Sequence, residues 1–424
     1  MQQSERSYHK SIIKVVGVGG GGCKAVNYMF QSRLVNVSYA LCHSYPDLYG
    51  DSLVKKQILL GKRFDGHNPD GFQKDAEERE SEIRSMLNDG TKICVIVAGM
   101  GGGIGTGAAP VIARISKELG LLTIGIVTLP FRFEGNAKRY KAIDGIEKMA
   151  KCVDTIVVIN NESMRQLYPE THLLQIFSKA DETIRLMVNS IANLTYHHRN
   201  GNPIMDDVNT IFKEGGAGII TEGHGKGYRG VKTAIQNAVQ SPLIYNIGIF
   251  KAKKVFLYID IGDYKYLTKE DKLFINDFKN NNRENCVIQL CINKNIKMGK
   301  RVNATIFATG FNVDDINELK VFRPGNYEKE PMNMEQISAL VDILKESPEK
   351  EVYYPWSHVC DSIMSYPEKV GIISEKCPIC GHNMIEIYFF SPEWTWKKLC
   401  GRAGDMFICP HCRSQKHFHL TLMN

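Results

Sequence analysis

Apolar residues in the first third of the chain come in short, nearly unbroken runs, as in strands buried on both faces, with glycine-rich or polar stretches between them. Ser11 to Val18 (SIIKVVGV) is the first run; it passes into a glycine turn and then into Ala25 to Phe30, which has helical character. Val37 to Cys42 predicts a second strand, Asp75 to Leu87 an amphipathic charged helix, and Lys92 to Ala98 a third strand. A second glycine loop, Gly99 to Gly107, follows, and then a helix over Ala108 to Leu119. Leu122 to Thr128 and Thr155 to Ile159 supply two more buried strands, each leading into a polar loop. Such alternation predicts an α/β, doubly wound, Rossmann-like domain with a parallel sheet, its ligands at the carboxyl ends of the strands.

The period then changes. Leu174, Phe177, Ile184, Met187, Val188 and Ile191 recur at helical spacing, so Leu174 to Tyr196 reads as one long central helix, ended by Gly201 and Pro203. Beyond it come short alternating strands at Ala217 to Thr221, Lys254 to Ile261, Cys286 to Asn293 and Asn303 to Thr309, with helices between, the pattern of an α+β domain. Asn312 to Lys376 holds one amphipathic stretch, Met334 to Leu344, and lacks the Gly, Ser or Pro bias of a flexible tether. The expected division is 11–172, 173–200 for the central helix, 201–311, a connector at 312–376 and a small module at 377–424.

A length of 424 residues suits several domains, and 43% apolar with 23% charged residues is ordinary for a globular protein. No apolar stretch approaches the roughly eighteen residues that span a bilayer, which argues against membrane insertion. Nothing near Met1 to Lys10 resembles an export signal, and a cytoplasmic location is expected. The formal charge of +7 comes without a long cationic run and by itself points to no nucleic acid. Cys23, Cys42, Cys94, Cys152, Cys286, Cys291 and Cys360 lie in or near apolar segments without paired spacing, and read as buried free thiols.

Gly17-Val18-Gly19-Gly20-Gly21-Gly22 satisfies G-x-G-x-x-G between a strand and a helix, which first suggests a dinucleotide site and a nicotinamide-dependent enzyme. Such a site also wants an acid near the end of the second strand, where this chain has His43-Ser44-Tyr45. The second loop, Gly99-Met100-Gly101-Gly102-Gly103-Ile104-Gly105-Thr106-Gly107, holds six glycines in nine residues, far more than a tight turn needs. Its backbone N–H groups and the following helix N-terminus can converge on phosphate oxygens.

Those two loops together resemble the first glycine loop and the signature loop of FtsZ, in the tubulin/FtsZ superfamily of GTPases. The resemblance runs on through Pro130-Phe131-Arg132-Phe133-Glu134-Gly135, Val153-Asp154-Thr155, Phe177-Ser178-Lys179-Ala180-Asp181 and Ser241-Pro242-Leu243 to Ala308-Thr309-Gly310-Phe311. It implies an N-terminal GTP-binding domain, the central helix and a C-terminal activation domain. By the same resemblance Gly19, Gly20, Gly21, Gly22, Gly101, Gly102, Gly103, Gly105 and Gly107 bind the phosphates of GTP or GDP, with Thr106 near the terminal one, and Mg²⁺ is a candidate companion ion. Glu134 would lie by the ribose and Asn161 near sugar and base. Phe177 would pack on the purine, and Asp181 would accept from guanine's N1–H and exocyclic N–H₂, a donor pair adenine lacks.

The family hydrolyses nucleotide when a neighbouring subunit inserts an N-x-D-x-x-D loop. Here the matching stretch is Asn202-Pro203-Ile204-Met205-Asp206-Asp207, with Ile204 in place of the first acid. The candidate catalytic residues are therefore Asp207, Asp206 and Asn202, and turnover is expected to be slow; the plainer reading has Asp206 and Asp207 capping a helix that begins at Val208. Lys24 stands where the family usually has Asn, and Lys138 takes the place of an arginine expected near the phosphates. Lys138 keeps the charge and loses the bidentate fork.

Near the C-terminus, Cys377-Pro378-Ile379-Cys380 and Cys409-Pro410-His411-Cys412 form two C-x-x-C knuckles 28 residues apart. Four thiolates so spaced can enclose one tetrahedral, structural Zn²⁺. Trp394, Trp396 and Phe407 lie among Lys397, Lys398 and Arg402, a mixture that suits a protein partner first and nucleic acid second. The leading expectation is a filament-forming GTP-binding protein that self-associates head to tail, its zinc ribbon recruiting an unknown protein. The rival is a regulatory GTP-binding module that does not polymerise.

Overall fold

The structure is a computed structural model; it describes residues 11–44, 52–61, 68–131, 134, 136–161, 163–164, 173–196, 205–241, 249–280, 286–311, 372–376, 383–388, 405–408 and 415–417. Asn202, Ile204, Cys360, the stretch Met334 to Leu344 and the four knuckle cysteines lie outside them.

β1 (Ile13–Val18) is buried at every position, as its apolar run requires. Around it run β2 (Val37–His43), β3 (Gln57–Leu59), β4 (Ile93–Gly99), β5 (Leu122–Leu129) and β6 (Thr155–Asn160), all parallel, in the order β3-β2-β1-β4-β5-β6. Strand order reverses between β1 and β4, so the segments leaving those two strands flank the crevice where doubly wound sheets bind ligands. The sheet continues through β7 (Gly216–Lys226), β10 (Arg301–Phe311), β8 (Lys254–Ile261) and β9 (Val287–Lys294); β10 is antiparallel to both β7 and β8. β7 joins β6 through three parallel pairs, from Thr155 with Gly216 to Val157 with Gly218. Strands of both halves thus form one mixed ten-stranded sheet.

The helices are α1 (Gly19–Gln31), α2 (Pro69–Glu78), α3 (Glu80–Leu87), α4 (Gly103–Glu118), α5 (Asn136–Cys152), α6 (Leu173–Tyr196), α7 (Met205–Phe212), α8 (Gly230–Val239) and α9 (Lys269–Asn280). Helices α1 and α4 start at Gly19 and Gly103, ahead of the expected Ala25 and Ala108, and three further differences concern other helices. The amphipathic stretch Asp75 to Leu87 is two helices that part at Arg79, inside the run Glu77 to Glu82, which has no apolar residue to anchor a continuous helix. The polar loop expected after the fourth strand contains the 17-residue α5, whose lysines obscure the buried row Ala142, Ile143, Ile146 and Met149. Helix α7 starts at Met205 rather than Val208, which puts Asp206 and Asp207 inside its first turn instead of at its cap.

A second compact unit contains a four-stranded antiparallel sheet in the order β11 (Ile372–Lys376), β12 (Asn383–Tyr388), β13 (Asp405–Ile408), β14 (Gln415–His417). Ile385 of β12 pairs with Ile408 of β13, so the start of β12 and the end of β13 share one end of the sheet. The connections 377–382 and 409–414 both leave from that end.

Candidate functional site

The two glycine stretches are mostly not loops. Gly19 to Gly22 form the first turn of α1, and Gly103, Gly105 and Gly107 lie in the first turns of α4. Glycine's poor helix propensity is overruled by close backbone approach. A Cβ on Gly22 would stand 2.1 Å from the Val97 carbonyl oxygen, and one on Gly107 1.9 Å from that of Pro69. Gly19, at φ +70°, begins α1 with its missing side chain facing the Gly105 nitrogen at 3.0 Å, so the two helix starts meet. Gly102, at the N-cap of α4, is different: a Cβ there would meet nothing within 4 Å.

Neither α1 nor α4 has a side-chain cap or an acidic residue in its first turn. Their positive dipole ends therefore lie at the crevice with no acidic side chain of their own first turns to offset them, an arrangement that suits phosphate. Thr106 is buried and its hydroxyl accepts the Gly101 N–H at 2.8 Å, fixing the turn in which Gly101 has φ +95°. Lys138 of α5 lies against that turn, its carbonyl oxygen 2.6 Å from where a Gly101 Cβ would be. Glu134, half-buried, lies between β5 and α5.

The other side of the crevice is built by α6, which packs on α1; the Tyr28 hydroxyl donates to Glu182 at 2.8 Å. Phe177 meets Phe131 edge to face, with centroids 4.9 Å apart. The Lys24 ammonium stands 5.7 Å from the Phe177 ring centre and 3.9 Å from an Asp181 carboxylate oxygen. Burial raises the Asp181 carboxyl to about 6, against the opposing pull of Lys24. Asn161, just past β6, is buried and its Oδ1 has no hydrogen-bond partner among the described residues.

An acceptor buried without a donor costs free energy unless something supplies one. Asn161 Oδ1 is such an acceptor, and the Asp181 carboxylate, mostly buried with a partly exposed lysine as its partner, is a second acceptor beside the Phe177 ring; both suit a flat group with N–H donors on its edge. The structure brings Lys24, Phe177 and Asp181 together, and separately joins Gly19 to Gly105 and Gly101 to Thr106 and Lys138. Asp206, exposed, and Asp207, half-buried, lie on α7. Ser44, in the stretch His43-Ser44-Tyr45 that by the resemblance stands around the nucleotide where the family has N-T-D, follows β2, buried, its hydroxyl without a partner among the described residues.

Converging helix N-termini at the switch point of a doubly wound sheet, with an aromatic and acceptor set alongside, define a nucleotide-binding α/β protein. Residues 12–169 match the family model described as Tubulin/FtsZ family, GTPase domain. The chain is 40% identical over 313 residues to the cell division protein FtsZ of Porphyromonas gingivalis, covering 72% of this chain and 68% of that one. It is 30% identical to FtsZ of Buchnera aphidicola subsp. Baizongia pistaciae, covering 87% and 97%. A solved FtsZ dimer from M. jannaschii superposes with TM-score 0.63 at 28% identity, over 71% of this chain and 88% of that one. CetZ2 from Haloferax volcanii shares the fold, with TM-score 0.62 at 15% identity over 73% and 97%. The chain belongs to the tubulin/FtsZ family and carries its GTP-binding domain.

Proposed function

We propose that the chain is a GTP-binding protein that assembles head to tail into filaments, hydrolyses GTP slowly at the subunit junctions, and carries a zinc-held ribbon that recruits a protein partner. The observation that carries the guanine reading is the set of Lys24 on α1 with Phe177 and Asp181 on α6, together with the Asn161 acceptor, which has no partner among the described residues, beside helix starts whose first turns hold no acidic residue. In this reading Gly19 to Gly22 and Gly101 to Gly107 present N–H groups to the phosphates, Phe177 packs on the base, and Asp181 accepts from its N1–H and N–H₂. Bound GTP supplies the phosphoanhydride that is cleaved, and Mg²⁺ offsets phosphate charge.

Self-association is supported by the relatives: the M. jannaschii FtsZ structure is that of a dimer. Asp206 and Asp207, in the first turn of α7, are the groups that would be offered to a neighbour's nucleotide, with Asn202 shortly before them in the sequence. Aliphatic Ile204 cannot accept from water, so the junction lacks one carboxylate, and the loss costs about 10²–10⁴ in rate where nothing substitutes.

Zinc is supported by the donor set and by strand register. Cys377 and Cys380 fall in the connection between β11 and β12, Cys409 and Cys412 in that between β13 and β14, and both connections leave the same end of the sheet. Four cysteines carried on connections between strand ends that meet would suit a closed tetrahedral site whose metal takes the place of a core.

The experiment that tests the reading is sedimentation and negative-stain imaging of the whole protein with GTP, GDP or ATP. Filaments with GTP alone support it. A protein that binds GTP and stays monomeric is the regulatory module, and one that binds GTP and ATP equally overturns the guanine assignment.

A further inference from the structure

The net positive charge is not spread over the molecule. β7, β8 and β9 end, and β10 begins, along one edge of the sheet: Arg301 pairs with Lys226, Val302 with Ile261, and Ile261 with Lys294. The connections there are tied together. The Gly227 N–H donates to the Lys300 carbonyl at 2.7 Å, Arg229 pairs with Glu270, and the Lys294 ammonium lies 5.8 Å from the Tyr264 ring centre. Residues 224–232, 262–272 and 293–303, which make this tip, carry ten lysines and arginines against three carboxylates. That excess equals the formal charge of the whole chain, +7.

The tip also exposes large apolar groups. Ile296 is 79% exposed, Tyr228 77% and Tyr264 51%, each on a different connection. They stand exposed on three neighbouring connections, side by side at one end of the sheet. Of its two arginines, Arg229 is engaged by Glu270 and Arg301 points at the carbonyls of Lys297 and Met298. The unpaired cations are lysines: among the described residues no ion pair holds Lys226, Lys269, Lys297 or Lys300. Lysine is a compact charge that favours diffuse anionic surface, whereas recognition of individual phosphates in nucleic acid leans on arginine's planar fork. Tyrosine and an aliphatic side chain among lysines is the composition that settles at a bilayer's headgroup level.

We propose that this tip is a peripheral docking surface for an anionic lipid bilayer, the lysines lying over the headgroups and Ile296, Tyr228 and Tyr264 entering the interface. Each lysine near such a surface adds about fivefold in affinity at moderate salt, and the attraction falls off within a Debye length.

Flotation of the full chain, without nucleotide, on phosphatidylcholine vesicles with and without phosphatidylglycerol tests it. The protein floats with the anionic vesicles only, and salt releases it. Lys226→Glu/Lys297→Glu/Lys300→Glu lowers binding by about a hundredfold or more, Ile296→Ser weakens it at unchanged charge, and Lys92→Glu, a surface control on another part of the sheet, leaves nearly all of it. Circular dichroism and GTP binding show that each variant is folded. No flotation, equal flotation on neutral vesicles, or binding unchanged in the triple variant overturns the proposal. So does a tip that binds a short duplex DNA or RNA while ignoring vesicles.

Discussion

The Lys24 ammonium lies 3.9 Å from the Asp181 carboxylate, yet the carboxyl's protonation point is raised to about 6, so burial outweighs the nearby cation. Lys24 is more than half exposed and solvent screens it, while Asp181 has 13% of its side chain exposed. A mostly buried carboxylate whose one ion pair is partly screened would gain from a ligand that brings N–H donors.

This gives GTP binding a pH dependence. Below about 6 Asp181 is protonated and can no longer accept both guanine N–H groups; above it the carboxylate does, and binding in turn favours the ionised form. Affinity for GTP is expected to rise with pH through about 6 and then level off, while ATP shows no such rise. Asp181→Asn should flatten the profile and weaken GTP far more than ATP. For the empty protein the sign is opposite: the native carboxyl holds its proton more tightly than the unfolded one, so stability falls as pH rises from about 4 to about 6. Calorimetric titrations and melting curves across that range check both signs.

Glycines that serve packing should separate from those that serve ligand. Gly22→Ala drives a methyl into the Val97 carbonyl, backbone against backbone, and should cost at least about 3 kcal/mol. Gly102→Ala meets open space at an ordinary backbone angle, φ −87°, so the melting point should stay near that of the parent. Its methyl would instead stand between N–H groups and phosphate oxygens, and losing one charge-assisted hydrogen bond of about 1.5–3 kcal/mol lowers GTP affinity tenfold or more. A Gly102→Ala protein that unfolds like Gly22→Ala would refute the distinction.

Much of this was legible in the sequence because burial on both faces writes itself as unbroken apolar runs: β1 and β4 begin within two residues of where the pattern put them. The glycines were legible as a phosphate site but not as helix, since their reason is contact with Val97 and Pro69, far away in sequence. Helix α5 was missed because lysines mask its apolar row. Ser44 and the orphaned Asn161 Oδ1 are facts of burial that no local pattern encodes. The basic tip is the sharpest case, as its lysines come from three separated stretches and become one surface only through the pairing of β10 with β7 and β8.

Zinc should prove structural. Metal analysis of the undenatured protein is expected to give one zinc per chain, and Cys377→Ser/Cys409→Ser to abolish it. Amide exchange in β12 and β13 should then become fast, while β1 and β4 keep their protection, because the ribbon's fold depends on the metal and the ten-stranded sheet has its own core. Substoichiometric zinc with β12 and β13 still protected would remove the ribbon reading.

In the proposed reading, hydrolysis turns on an acid that the sequence lacks at Ile204. Asp206 and Asp207 open α7, where the helix dipole favours their charge, and Asp206 is exposed while Asp207 is half-buried. Ile204 precedes that helix by one residue and presents hydrocarbon where the family has an acid. Ile204→Asp should therefore speed turnover, each tenfold gain corresponding to a barrier lower by about 1.4 kcal/mol, and should shorten filament lifetime in step. Asp207→Ala should remove most residual activity and leave GTP affinity near normal, since in the head-to-tail arrangement it serves the neighbour's nucleotide. Mixing gives the decisive readout: Asp207→Ala subunits added to Asp181→Ala subunits should regain part of the activity, because each supplies the half-site the other lacks. Asp206, the more exposed of the pair, is the one group that could make Ile204 irrelevant. Parent turnover as fast as that of Ile204→Asp, and lost in Asp206→Ala, would show that it does.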